Sequence, residues 1–261
     1  MMSKILKRIY LALIILFLYA PIFVLFVLSF NKSKSRAKWG GFTLEWYSKL
    51  FSDSDIMQAF LNTILLALLA SVIATVIGTI AALAINSFKK GTKAVMMGIT
   101  NIPMLNAEIV TGISLMLLFI FFKIKFGFTT ILLAHITFNI PYVILSVMPR
   151  LKSLSVSTYE AALDLGATPV KAFFKIVFPD ILPGVLSGML MAFTMSIDDF
   201  IITYFTKGAG VDTLSTKIYA QVRKGIDPKM YSLSTLIFVS VFILLILVNL
   251  LPNLSKKEKN H

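Results

Sequence analysis

Three acids stand out because of where they lie. Glu108, Asp198 and Asp199 fall inside long stretches that otherwise contain no Asp, Glu, Lys or Arg. An ionised group inside a bilayer costs about 2.5–3.5 kcal/mol on insertion scales, so such groups face a cavity or a partner. Carboxylates with no basic residue in any of these stretches make a site suited to a cation. Adjacent helical residues point about 100° apart, so Asp198 and Asp199 face one cavity together only if the helix opens locally. Either one lines a path while the other caps a helix or bonds to a neighbour, or the pair merely caps a break near Ser196. For Glu108 the alternative is a salt bridge to a basic residue of another subunit. His135 reads as an interhelical hydrogen-bonding group.

Other chemistries lack their residues. The 261-residue chain has no cysteine and two histidines, His135 and His261, so it offers no thiol nucleophile, no Cys-based metal site and no His-based metal or triad site. No Gly-Lys pair occurs, which removes the G-x-x-x-x-G-K-[ST] phosphate loop. The chain is expected to carry no cofactor of its own.

The elements that must position these acids are membrane spans. Hydrophobic residues make up 57% of the chain and charged residues 14%, against about 45–50% and about 25% in soluble domains. The net charge of +13 does not indicate nucleic acid, because so apolar a chain has too little polar surface to display a basic face. A crossing helix needs about 20 apolar residues. Charge-poor runs place six spans at about 9–30, 60–86, 95–122, 129–149, 183–206 and 233–251. Lys4, Lys7 and Arg8 precede the first run, but 22 uncharged residues from Ile9 to Phe30 exceed a signal-peptide core, so this is read as an uncleaved span. The expected fold is an all-α polytopic membrane protein with one transmembrane domain over 1–261.

Charge does not orient it. An even span count puts both termini on one side, and the 25 basic residues divide almost equally between the two sides. Among the long loops, 31–58 holds Phe42, Trp46 and Leu50 at helical spacing, with Tyr47 and Phe51, which predicts an amphipathic interfacial helix. Trp46 is either a headgroup-level anchor or a residue at a pathway mouth. In 207–232, Leu214, Ile218 and Val222 predict a short helix with Lys217, Arg223 and Lys224 toward water. No internal repeat is evident.

The loop 150–182 carries the specific motif. Glu160-Ala161-Ala162, three residues, Gly166, nine residues and Ile176-Val177-Phe178-Pro179 read as helix–turn–helix: Ser157 or Thr158 as cap, Gly166 at the turn, and Pro169 opening a second helix with Phe173, Phe174 and Val177 on its apolar face. This pattern resembles the EAA signature of permease subunits in ATP-binding-cassette importers, with Phe178 replacing the usual Leu. The resemblance implies a cytoplasmic loop that docks on an ATPase subunit and couples nucleotide-driven closure to the spans, and hence cytoplasmic termini. The Ser196-Ile-Asp198-Asp199-Phe200 element, the EAA loop and the Trp46 and Glu108 regions make nearly the whole chain similar to the second permease subunit of bacterial spermidine/putrescine importers. That family more often has Asp where Glu108 stands.

The resemblance implies a translocation pathway served by Trp46, Glu108, Ser196, Asp198 and Asp199. Tyr204 adds an aromatic face for ammonium or methylene groups. It also implies a multi-pass protein of the bacterial cytoplasmic membrane. Its expected partners are a homologous permease, two ATPase subunits that use ATP, and an extracytoplasmic polyamine-binding protein. Two rivals stand beside this reading. One is a permease of the same kind for another solute; the other is a secondary transporter using the acids as a proton relay, a class that often shows repeated halves.

Overall fold

The computed structural model of the chain describes residues 4–154, 156–240 and 242. These are almost entirely helical: α1 Lys4–Ser29, α2 Glu45–Phe51, α3 Ser54–Ser87, α4 Lys90–Leu105, α5 Glu108–Phe121, α6 Phe128–Ser153, α7 Val156–Asp164, α8 Pro169–Ala172, α9 Phe178–Asp198, α10 Ile201–Thr206 and α11 Leu214–Lys224. A π-helical turn, Phe173–Val177, joins α8 to α9, and residues 229–240 are also helical. Four helical segments are long and apolar enough to cross a bilayer, or five if α4 and α5 count as one span. The expected sixth span, 233–251, lies mostly outside the described residues.

Several boundaries differ from expectation. The segment 95–122 is not one straight helix: α4 and α5 meet at a 102° bend. Pro103 removes an amide from the last turn of α4, and Asn106 and Ala107 take extended conformations with no side-chain cap. The expected 183–206 span starts early, running from Pro169 to Asp198, and stops before the separate α10. The supposed loop 150–182 is therefore mostly helix, since α6 also continues to Ser153.

The chain divides into two compact units. In the one formed by the described residues up to Met57 and from Ile218 on, α1 is apolar on all sides, with no buried residue from Lys7 to Leu28. A helix hydrophobic all round belongs in lipid or within a larger assembly. After it, Asn31 organises the loop: its side chain donates to the Lys38 carbonyl (2.9 Å) and accepts from the Gly40 amide (2.8 Å). Phe42 lies before α2 rather than on it, in a bridge with Asn31 and stacked on Phe30 at 5.3 Å.

The second unit, Gln58–Lys217, is built on the antiparallel pair α6 and α9. Gly184 and Gly188 form a G-x-x-x-G face that brings the backbones together: a Cβ at Gly184 would lie 2.9 Å from the Ser146 carbonyl oxygen, and one at Gly188 3.1 Å from the Val143 Cα. Gly78 of α3 meets Val143 in the same way. Val143, Ile144, Val147, Ile181, Val185 and Ala192 are buried between them. Gly112 lets α5 approach α10, where a Cβ would lie 3.2 Å from the Phe205 ring.

Candidate functional site

Two helix breaks hold the acids. Asp198 is the last residue of α9 and is exposed, whereas the side chain of the next residue, Asp199, is 5% exposed. The chain turns extended at Asp199 and restarts as α10 at Ile201. Asp199 Oδ1 accepts the Ile202 amide (3.1 Å), and Oδ2 accepts the Thr203 amide and the Thr203 hydroxyl, both at 2.7 Å. His135 Nε2 on α6 lies 3.0 Å from Thr203 Oγ1 and 3.2 Å from Asp199 Oδ2. The Ser215 hydroxyl donates to the Asp199 carbonyl at 2.7 Å.

The helix opens at Asp199, and the two acids take divided roles across the break, with Asp199 capping and cross-linking while Asp198 remains exposed. His135 makes the interhelical bond expected of it. One turn further along α6, buried Asn139 donates to buried Ser196 (2.7 Å), and the Asn139 Oδ1 oxygen has no hydrogen-bond partner among the described residues. Ser196 is therefore held in the α6–α9 interface.

Glu108 opens α5 at the other break and is exposed. Its level follows from chain direction. Pairs 130–206, 135–203 and 139–196 make α6 antiparallel to α9 and α10. The short turn before Phe128 reverses α5 into α6, so α5 and α10 run parallel. Gly112, one turn along from Glu108, abuts Ile201 and Ile202, so Glu108 lies toward the end of α10 where Asp198 and Asp199 stand. A turn of helix is about 5.4 Å. Tyr204 is 44% exposed on α10, with its ring 5.4 Å from that of Phe200.

Trp46 belongs to the first unit and is 5% exposed. Its indole donates to the Asn31 carbonyl at 2.8 Å, and the Lys49 ammonium lies 4.9 Å from its ring centroid. Its ring thus already carries a cation of the chain itself, and its position is fixed by burial rather than left open at a surface.

The EAA segment forms the predicted hairpin. Glu160, Ala161 and Ala162 ride on α7, and Gly166 has φ +84°. The Gly166 amide bonds to the Leu163 carbonyl and the Ala167 amide to that of Ala162, a Schellman ending in which glycine avoids a Cβ clash. Ser157 and Thr158, expected as caps, lie within α7, which runs Val156–Asp164. Thr168 caps α8 instead, with Pro169 at its first position. Ile176 lies in the π-helical turn, and Pro179 in the first turn of α9. Proline offers no amide to the Lys175 carbonyl, and the ladder widens just before it, with the Phe178 amide reaching back to Phe173. Leu165, Val170 and Phe174 stand 89%, 66% and 61% exposed on this hairpin.

Sequence reasoning missed Thr203, Asn139 and Ser215. The i, i+4 spacings of Asp199 with Thr203 and of His135 with Asn139 were available signals, since such pairs share a helix face.

The family described as "Binding-protein-dependent transport system inner membrane component" matches residues 74–257. The chain is 35% identical over 246 residues to the "Spermidine/putrescine transport system permease protein PotC" of Escherichia coli (strain K12), covering 94% of this chain and 93% of that protein. It is 38% identical over 233 residues to the "Putrescine transport system permease protein PotI" of the same organism, covering 86% and 83%. Among solved structures, a chain of a bacterial ABC transporter involved in the import of the acidic polysaccharide alginate superposes with a TM-score of 0.71 at 14% identity, over 97% of this chain and 98% of that one. That likeness concerns the fold. On the family match and these relatives, the chain belongs to the inner-membrane permease family of binding-protein-dependent transport systems.

Proposed function

We propose that this chain forms half of the pathway of an ATP-driven polyamine importer of the bacterial cytoplasmic membrane. The observation that carries the reading is the placement of Glu108 and Asp198, exposed carboxylates at two helix breaks in stretches without Lys or Arg. A polyamine is a chain of ammonium groups separated by methylenes, and spaced carboxylates with a nearby aromatic such as Tyr204 suit it. The names of the relatives point to the same cargo class. Asp199 and Ser196 shape the break, and Trp46 shapes the loop after α1.

Transport needs no covalent chemistry here. The α7–α8 hairpin, with its exposed Leu165, Val170 and Phe174, is the surface that takes an ATPase subunit. The complete importer comprises this permease, a homologous one, two ATPase subunits that hydrolyse ATP and an extracytoplasmic binding protein, with both termini of this chain cytoplasmic. In its cycle the loaded receptor docks outside, ATP draws the ATPases together, and the hairpin transmits that closure to the helices around the acids. The test is uptake by the reconstituted importer. Excess unlabelled spermidine or putrescine suppresses uptake of labelled spermidine, and a neutral sugar does not. Uptake that ignores both polyamines refutes the cargo.

A further inference from the structure

The break between α9 and α10 is splinted by α6. Asn139 holds Ser196 before the break, His135 meets Asp199 and Thr203 at it, and Thr130 donates to the Thr206 carbonyl (2.8 Å) after it. The central contact differs from its neighbours because it involves one of two adjacent acids. Hydrogen accounting assigns its roles. The Thr203 hydroxyl has a single proton, given to Asp199 Oδ2, so Thr203 Oγ1 can only accept from His135. The hydrogen therefore sits on His135 Nε2, shared between Thr203 Oγ1 and Asp199 Oδ2.

With the amides of Ile202 and Thr203, every donor in this cluster converges on one buried carboxylate. Asp199 has little capacity left for an arriving ammonium. Asp198, exposed at the end of α9, has that capacity.

We propose that His135 is a positioning residue of the pathway: by fastening Asp199 to α6 it sets the conformation of the break and so the direction in which Asp198 is presented. This rests on the polyamine reading for its cargo but not for its geometry. The role specifies what can replace the imidazole. A Gln amide nitrogen reaches about as far as Nε2 and can donate to both acceptors, an Asn amide reaches only about as far as Nδ1, and Phe fills the space without a donor.

The test uses the complete reconstituted importer. His135→Phe and His135→Asn lower polyamine uptake roughly tenfold, on the scale of losing a hydrogen bond to a charged group, while His135→Gln stays within about threefold of the parent. Added to Asp199→Asn, His135→Phe costs less than about twofold more, because its target carboxylate is already gone. Equal activities of the Gln and Asn variants, or full additivity with Asp199→Asn, overturn the proposal.

Should the Phe variant not assemble, the comparison of Gln with Asn decides. A second measurement needs no cargo. The chain has no cysteine, so Asp198→Cys supplies a single thiol in this subunit for a water-soluble maleimide. Its labelling rate shifts at least about threefold with His135→Asn and stays near the parent rate with His135→Gln; one rate for all three overturns the proposal. If the parent importer carries no polyamine, the cargo reading falls and the labelling rates still judge His135.

Discussion

Replacing Asp199 by Asn changes one oxygen to a donor in a pocket already full of donors. The native carboxylate accepts four hydrogen bonds, one on Oδ1 from Ile202 and three on Oδ2 from Thr203 and His135. In its better orientation, an Asn keeps its carbonyl toward Thr203 and turns its amino group onto the Ile202 amide. One hydrogen bond is lost outright, a buried N–H faces another donor, and the remaining bonds lose their charge. A hydrogen bond to a charged group is worth about 1.5–3 kcal/mol and a neutral one about 1 kcal/mol, so the substitution costs about 2–3 kcal/mol. For a domain of this size that lowers the melting midpoint by about 4–12 °C. Asp198→Asn, at an exposed position, costs less than about 0.5 kcal/mol and moves the midpoint by no more than about 2 °C. Thermal unfolding of the purified complex in detergent measures both. Equal midpoints for the two variants, or a larger drop for Asp198→Asn, would refute the division of labour between these neighbours.

Further outcomes follow from the packing and the loops. Gly188→Leu forces a side chain where even a Cβ lies 3.1 Å from the Val143 Cα, costing about 1–3 kcal/mol or more, whereas Gly98→Leu enters open space; the yield of assembled complex separates them. Gly166→Val strains a backbone at φ +84° by about 1–2 kcal/mol, and its expected signature is more ATP hydrolysed per solute imported. Asp53 bonds Lys229 at 2.7 Å and caps α3 through the Ile56 amide. Burial opposes ionisation of Asp53, but the Lys229 ammonium and the amides of Ile56 and Asp55 outweigh it and hold the carboxyl below its ordinary value. Lys229 is raised by the hydrogen bond it donates to the Asp53 carboxylate, against its own burial. The pair's stabilisation is therefore complete between the ordinary carboxylate and lysine values. It is lost as pH falls through the depressed value of Asp53 or rises through the raised value of Lys229. Hydrogen exchange at the first amides of α3 should accelerate, relative to its intrinsic rate, at both extremes.

The spans were legible where hydrocarbon demands uncharged length, as in α1, α3 and α6. The bend between Leu105 and Glu108 was not, because Asn106-Ala107 contains no strong breaker and the proline that weakens α4 lies three residues earlier. The 183–206 estimate failed for a related reason. Charge marks the edges of an apolar stretch, but Lys171 and Lys175 are carried on a helix that continues into the span. The sequence offered divided roles for Asp198 and Asp199 as one alternative. It could not say which would turn inward, because that depends on Thr203 and on His135 of another helix. The EAA hairpin was readable from Gly166 and Pro169, whose backbone preferences are local, whereas the burial of Trp46 depends on an Asn31 carbonyl fifteen residues away.

The proposed role of Glu108 and Asp198 is to carry a cation through the pathway on their carboxylates. Initial rates of ATP-driven spermidine uptake into proteoliposomes, compared for the parent importer, Glu108→Gln and Asp198→Asn at equal amounts of assembled complex, test it most directly. Each variant is expected to lose at least about tenfold, the scale of a charge-assisted contact, with the ATPase still bound. Parent-like uptake in both variants would contradict it.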